Sequence, residues 1–548
     1  MSTTAPESFS PEERSVLSRY FTNLEGPVFA LINLPEVVKG ALFSRYSRSP
    51  KSLRRLFLDE FVDELDIAGD ATLDATVGLK RAEQLYARVF SEYGDDSVAQ
   101  LGGVHVACEQ ASNVLTKVLE RGRLMSYLEQ STRYIPYDLR LDSGHYRYAR
   151  EPAILDSPVG ARYVGEMDRM FDTYGQLLPK IQAHLGRSSP PPAGVSPRVH
   201  RQAVRAASLD ALRGLLPAGS LSNVGIYGTG QSYERLLLRM RSNPLPEARR
   251  YAAMMLEELR KVIPSFLTRV DLPARGGAWT DYLEATESDT REAVRGLWPP
   301  EAPQPGVRVT LTDFDPAGED KIVAAICYSQ TNLSDEELSR RIRALSGEQR
   351  AALLATYVGM RSNRRHRPGR AFERTEYRFE IVADYGAFRD LQRHRMLSIE
   401  WQPLGTDLGY DIPEVVSEAG LEDEYAESLE RSRALHDALA GHFPEMCSYA
   451  VALAYNIRFT MQMNAREAMH ILELRSSSQG HPTYRRVAQE MHRLIADVAG
   501  HRAVASAMSF VDHKDAELGR LGAEQRAVSR AKLRAVSTPG GPDHHNWS

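Results

Sequence analysis

The sequence predicts an α/β (α+β) protein made of two tandem copies of one domain. Three observations predict it: a repeated arginine segment, a length that one core does not fill, and strand and helix patterns in both halves. LERGRLMS (119–126) and LQRHRMLS (391–398) both read Leu-x-Arg-x-Arg, then two of Leu and Met, then Ser, and Arg121 and Arg393 lie 272 residues apart. An isolated Arg-x-Arg is an ordinary solvated helix face. A second copy at about half of the 548 residues indicates a duplicated domain rather than a solenoid of short units. A chain of this length is expected to divide, and with 42% hydrophobic residues it has material for two cores.

After an N-terminal extension, 1–22, the first domain is expected over 23–275. A helical pattern covers LPEVVKGALFSRYSRSPKSLRRLFLDEF, and another covers VHVACEQASNVLTKVLERGRLMSYL, ending before Ile135-Pro136. RSSPPPAGVSPR, 187–198, reads as an extended loop or small linker. Further helices are expected at Ser232 to Arg241 and through EARRYAAMMLEELRKVI. A Pro-rich linker, 276–306, follows, its stretch from 284 losing apolar periodicity. The second domain, 307–530, opens with VRVTLTDF as a strand and DKIVAAICYS as a helix. TEYRFEIVADYGAF reads as a strand entering a helix, or as one long helix. YAVALAYNIRFTMQM alternates like a strand, and NAREAMHILELRSS is a helix with Ala465, Ala468, Met469 and Leu472 at helical spacing. The tail, 531–548, is expected to be disordered, its His544-His545 pair an inert feature rather than a metal site.

Composition narrows the function. The formal charge of −4 and pI near 6.5 give no general attraction to nucleic acid or an anionic membrane, so any phosphate recognition must be local. Cys108, Cys327 and Cys447 lie far apart in apolar surroundings and suit neither a disulfide framework nor a close-spaced metal site. A polar, acidic start and the lack of any apolar run of ~20 residues predict a soluble cytoplasmic protein. P-loop, H-E-x-x-H, C-x-x-C and G-x-S-x-G motifs do not occur, and GIYGTGQ, 225–231, departs from G-x-G-x-x-G order. In an extended segment Glu129, Ser131 and Arg133 would point to one side. That face would suit a ligand with donors at one end and a phosphate at the other, although an ordinary polar loop has the same composition.

The run R-x-R-x-x-S-x-x-E-x-S-x-R-Y, 121–134, resembles the signature of the flavin-dependent thymidylate synthases, RHRxxSxNExSxRY. The first copy matches at Arg121, Arg123, Ser126, Glu129, Ser131, Arg133 and Tyr134, and departs at Gly122 and Leu128. The second keeps Arg393, His394, Arg395 and Ser398, then has Glu400, Trp401, Pro403, Gly405 and Thr406; Asp390 stands where the family has Gln. VRVTLTDFDPAGEDKIVAAICY and NAREAMHILELR also look like family segments, and QSYERLLLRMR is the first domain's counterpart of the latter.

The resemblance implies a small mixed sheet flanked by long helices in each copy, and methylation of dUMP to dTMP. It also implies FAD as cofactor, with methylenetetrahydrofolate and NADPH as co-substrates and no cysteine nucleophile or metal. Carried over, it makes Arg239 and Arg475 the late, catalytic arginines. Arg393, His394, Arg395, Asn464, Arg466, His470, Arg121 and Arg123 would hold FAD. Glu129, Ser131, Arg133, Tyr134 and Arg213 would hold dUMP. The losses are complementary, because the first copy keeps the nucleotide segment and the second the flavin triplet. Composite sites would follow, in a homodimer imitating the family's homotetramer. The alternatives are a flavin enzyme acting on another pyrimidine nucleotide, or a non-catalytic flavin- or nucleotide-binding relative.

Overall fold

Strands β1 (Val28–Leu31), β2 (Gly103–Ser112), β3 (Met125–Glu129) and β4 (Leu221–Thr229) form one sheet. Strands β5 (Val309–Phe314), β6 (Glu376–Asp384), β7 (Ser398–Trp401) and β8 (Asn456–Asn464) form a second. Their orders, β1-β2-β4-β3 and β5-β6-β8-β7, are the same, so the sequence repeat is a repeat of topology. The computed structural model describes residues 7–34, 36–61, 102–191, 195–298, 308–514 and 522. The fold class is α/β with the domain in two copies. Each sheet is antiparallel throughout rather than mixed, since every neighbouring pair of strands runs in opposite directions.

Each copy uses the same local device twice. A strand ends in a residue whose side chain caps the helix that follows, taking up a backbone N–H that would otherwise lack a partner. Ser112 Oγ accepts from Leu115 N (2.9 Å) and Asp384 Oδ1 from Ala387 N (2.7 Å). Thr229 Oγ1 accepts from Ser232 N (3.3 Å) and Asn464 Oδ1 from Glu467 N (2.9 Å). The helices so started are Asn113–Leu119, Tyr385–Gln392, Gly230–Arg241 and Ala465–Arg475.

These caps explain where periodicity misleads. The expected helix over 104–128 is instead β2, the short helix Asn113–Leu119 and β3. Val104, Val106 and Cys108 are buried in a strand, and Ser112 resets the chain. The helix expected over 34–61 is split into Glu36–Tyr46 and Leu53–Glu60, because Pro50 interrupts it and Ser52 caps the second piece. TEYRFEIVADYGAF is a strand entering a helix. The 187–198 loop is shorter than expected, between helices ending at Ser188 and starting at Pro197. Much of the stretch expected to be a Pro-rich linker is a helix, Ala278–Leu297; its charged, Ala-containing sequence supports a solvent-facing helix without a wide apolar stripe. Residues 299–306 and the tail's His544 and His545 lie outside the described residues.

One hydrophobic core runs through both copies, and a smaller one gathers Phe21, Phe29, Phe57 and their neighbours against β1. The copies are joined by backbone as well as side chains. RGLLPAGS (213–220) lies against SYAVALAY (448–455), with Ala218 N donating to Val451 O (2.7 Å), Gly219 N to Tyr449 O (2.8 Å) and Leu453 N to Leu216 O (2.9 Å). Gly214 is required there, since a Cβ would lie 2.2 Å from Tyr425 Oη. The helices Asn113–Leu119 and Tyr385–Gln392 also meet: Tyr385 Oη donates to Asn113 O (3.2 Å) and Gln392 Nε2 to Lys117 O (3.1 Å). This contact brings the end of one signature beside the triplet of the other.

Candidate functional site

A cavity of about 20 Å³ lies between the copies, walled by Glu129, Ser131, Arg133 and Arg213 of the first and by Asp390 and Arg393 of the second. Four of the five residues expected to hold the nucleotide therefore surround one space, together with the first arginine of the other copy's triplet.

Burial acts to raise the Glu129 carboxyl, but Arg389, Lys117 and Arg393 overcome it and hold it down to about 2. Arg389 Nη2 donates to its Oε1 (2.6 Å) and Lys117 Nζ to its Oε2 (3.3 Å). Arg133 grips Asp210 through two bonds (2.6 and 2.8 Å) and also donates to Tyr484 Oη (2.8 Å) and Gln479 O (3.1 Å). Arg213 donates to Asp390 Oδ2 (3.2 Å) and lies 3.7 Å from Asp384. The helix start at Gly386 leaves it room, since a Cβ there would meet the guanidinium at 3.1 Å. Arg393 is bonded to the other oxygen of Asp390, and Arg475 lies 4.0 Å away. Asp390 is thus held well below the usual carboxylate range: burial opposes its charge, and Arg393, Arg213, Arg475 and Arg133 outweigh burial. Lys117 also pairs with Glu120. Six cations (Lys117, Arg133, Arg213, Arg389, Arg393, Arg475) here face five carboxylates (Glu120, Glu129, Asp210, Asp384, Asp390).

Beside the cavity, Arg475 Nε donates to His394 Nε2 (2.8 Å), and Arg367 Nη2 bonds His470 Nδ1 (2.9 Å). Arginine only donates, so each accepting nitrogen carries a lone pair and a neutral ring carries its proton on the other nitrogen. His394 then directs Nδ1–H toward Glu467 Oε1, 3.6 Å away. His394, Glu467 and His470 have potential ligand atoms within 4.8 Å of one another. The raised Glu467 carboxyl and the surrounding Arg367, Arg395 and Arg466 disfavour a bound cation there. Burial, with help from nearby arginines, keeps His394 well below and His470 near 4, and burial lifts Glu467 to about 7.

The remaining expected cofactor residues lie around this group. Asn464 caps the helix, and Arg466 Nε donates to Pro368 O (3.0 Å). The two triplets interlock: Arg121 reaches Glu400 (3.0 Å), Arg123 donates to Ser398 Oγ (3.0 Å), and Arg395 bonds Met125 O. Arg121, Arg123 and Arg395 are exposed, beside the exposed Leu124 and Met396. Solvated guanidinium groups next to apolar side chains fit the diphosphate and ring of FAD in chemical character.

Two expected residues lie elsewhere. Tyr134 is exposed and lines a separate cavity of about 790 Å³ with Arg48 and Arg147, because the chain turns after Ser131. Arg239 sits in the first copy near Tyr127 and Arg121 rather than at the composite cavity, because its helix is the pseudo-symmetric partner of the one carrying Arg475. The sequence reading missed Arg389, Lys117, Asp210 and Tyr484. The equivalence of Lys117 and Arg389 under the 272-residue repeat was a usable signal; nothing local marked Asp210 or Tyr484.

Fold and site define a tandemly duplicated α/β protein whose copies share an arginine-rich cavity made by both. The chain belongs to the thymidylate synthase complementing protein family, whose model matches residues 53–265 and 310–500. It is a tandem two-copy, flavin-dependent-thymidylate-synthase-like member. It is 39% identical over 522 residues to a UPF0159 protein of Chlamydia muridarum, covering 94% of this chain and 98% of the relative. It is 38% identical over 525 residues to one of Chlamydia pneumoniae, covering 95% and 98%. A UPF0159 protein of Thermoplasma acidophilum is 33% identical over 520 residues, covering 90% and 99%. Among the described residues no helix is long and apolar enough to cross a membrane.

Proposed function

We propose that the chain is a cytoplasmic flavin-dependent enzyme that methylates C5 of a uracil ring at the composite cavity. In the family's form, the reaction converts dUMP to dTMP with methylenetetrahydrofolate and NADPH. The observation that carries this reading is the meeting of Glu129, Ser131, Arg133 and Arg213 with Arg393 around one space.

Glu129 and Ser131 would accept from and orient the pyrimidine and its sugar, held rigid by Arg389 and Lys117. Arg475, fixed by His394 on one side and Tyr484 on the other, would stabilise the negative charge that develops on the ring as C5 attacks. Arg121, Arg123, Arg395 and Arg466 would hold FAD, with His470 beside them. When bound, FAD supplies the hydride transfer that no side chain can perform. His394 would present its Nδ1–H, and Glu467 its own carboxyl proton, next to that site. Two chains would pair as a homodimer, with a mass in solution twice the 61.3 kDa of one chain.

The test is turnover of dUMP by the purified protein with FAD, methylenetetrahydrofolate and NADPH, followed as dTMP. Arg133→Ala and Arg393→Ala should each abolish product, since both line the cavity. A colourless protein that refuses added FAD would overturn the enzyme reading. A second reading, a different pyrimidine as substrate, is favoured by the carboxylate of Asp390 inside the arginine cluster.

A further inference from the structure

The helix Ala278–Leu297 lies between the two copies in the chain and has little of the molecule against it. Its start packs on the turn before it, with Thr280 Oγ1 donating to Gly276 O (2.8 Å), and its base touches the helix Gly230–Arg241. From Glu284 to Trp298 every residue is exposed. A helix in that position is poorly stable in water by itself, because nucleation is costly and helical stability in proteins comes from a packed face. Its own sequence adds little. Thr286, Thr290 and Val294 are β-branched, Asp289 and Gly296 are poor helix formers, and Glu287 pairs with Arg291 (3.0 Å) only in solvent.

The helix has no wide apolar face, but it has one narrow uncharged seam at spacings of three and four, from Trp279 to Leu297, apolar at its ends and threonine at its middle. Trp279, Tyr282, Val294 and Leu297 on this seam are 46% to 67% exposed. The seam reads alike from both ends. Turned end for end about Ser288, Trp279 falls on Leu297, Tyr282 on Val294, Leu283 on Ala293 and Thr286 on Thr290, so larger apolar side chains meet smaller ones. Charge fixes the direction. Asp281, Glu284, Glu287 and Asp289 occupy the first half, and Arg291 and Arg295 stand in the second. Parallel helices would set the four acids beside their own copies, whereas antiparallel helices turn them toward the half that holds the arginines.

We propose that this seam is the contact with a second copy of the chain, the two helices pairing antiparallel about a two-fold axis level with Ser288. A pattern symmetric about its own midpoint is what an isologous contact requires, and an unrelated partner would not require it. Trp279 of one copy sits against Leu297 of the other at each end, and the threonines lie nearest the axis. Pairing gives the exposed turns the packed face that they lack. The inference rests on the homodimer proposed above and gives that homodimer a contact.

The experiment follows the full-length protein by sedimentation equilibrium over a dilution series. Wild type should sediment at twice 61.3 kDa. Tyr282→Glu and Val294→Lys should each weaken the dimer at least about tenfold, and the two together should return it to within about threefold of wild type, because position 282 of one copy faces position 294 of the other. If wild type stays dimeric at every dilution, exchange between labelled and unlabelled chains is read in its place, faster in each single variant and restored in the pair.

A dimeric wild type whose affinity neither single change moves would overturn the proposal and leave the homodimer standing on another surface. A paired variant weaker than both singles would overturn the antiparallel arrangement. A monomeric wild type would remove the seam and the homodimer together. Should a single variant fail to fold, Thr286→Leu with Thr290→Leu decides: a dimer about tenfold tighter upholds the seam, and an unchanged one overturns it.

Discussion

The molecule holds the same structural position twice, and the two versions have gone opposite ways. At the composite cavity, the end of β3 and the turn after it carry Glu129, Ser131 and Arg133, opposite Arg389, Asp390 and Arg393. At the pseudo-symmetric position, the end of β7 carries Trp401 and then Pro403, opposite Lys117, Val118 and Arg121. There Trp401 packs on Phe388 (5.4 Å between ring centres) and lies under the Arg121 guanidinium (5.0 Å). One version is a polar, charge-balanced cavity; the other is filled with an aromatic ring. At this position an indole stands where the other copy has a carboxylate. The triplets differ in the same sense. His394 reaches Arg475, whereas at Gly122 a Cβ would lie 2.5 Å from Tyr127 Oη, so Tyr127 occupies the space of the missing imidazole beside Arg239.

The largest effect should come from breaking the charge balance on the polar side. Arg389→Ala leaves Glu129 buried with Lys117 as its one bonded cation among the described residues and Arg393 nearby, Arg389→Met leaves the same imbalance, and each should cost about 3–5 kcal/mol in urea unfolding. The paired change Glu129→Leu with Arg389→Met should recover much of that loss, since the charges are removed together. A loss below about 1 kcal/mol for either single variant would show that water reaches the pair and that the cavity is not closed.

Next in size is a pH effect from Glu467. Its folded pKa is raised by burial to about 7, above the usual value of 4.5, with Arg367, Arg466 and Arg395 opposing. Between those values the unfolded chain is ionised while the folded one keeps its proton, so stability falls as pH rises from about 4.5 to 7. Glu467→Gln should remove that part of the slope, on the order of 1–3 kcal/mol across the window. Unfolding midpoints of the two proteins that run parallel from pH 4.5 to 7 would contradict the buried, protonated Glu467.

Much of this comparison is readable in the sequence. The 272-residue repeat, the retained Glu129, Ser131, Arg133 and Arg213, and the retained Arg393 were sufficient to expect copies that share a site. Two of the strands after residue 307 were also legible, because VRVTLTDF and NIRFTMQM alternate, and the second ends on the Asn464 cap. Legibility failed where the chain is buried on both faces: VHVACEQAS has no polar side, and its period cannot distinguish strand from helix. It failed again for partners that meet only through folding, such as Asp210 with Arg133 or Tyr484 with Arg475. Asp390 was visible as a departure from the family pattern, but its meaning came from the arginines that converge on it from other elements.

A smaller change would test why the first triplet lost its histidine. Gly122→His should crowd Tyr127 and cost about 1–3 kcal/mol by overpacking. Adding Tyr127→Ala to that variant should recover part of the loss, as the imidazole takes the vacated space beside Arg239. If Gly122→His is tolerated with no change in the unfolding midpoint, Tyr127 moves freely and the two triplets differ by drift rather than by packing.

The smallest expected effect separates the two positions most directly. Arg121 stacks on Trp401 and pairs with Glu400, but it and Glu400 are exposed, so the ion pair is screened and the stacking is worth little. Arg121→Ala should therefore change stability by less than about 1 kcal/mol. Its effect on FAD binding carries the information. Arg121 lies at the aromatic-filled position, whereas Arg393 lies at the cavity. With Arg121 among the arginines proposed to hold FAD, Arg121→Ala should lower flavin absorbance per chain, and unchanged absorbance would confine FAD to the composite side. A loss of half the bound flavin would mean that the filled position still holds a cofactor, and that duplication divided the nucleotide role between the copies but not the flavin role.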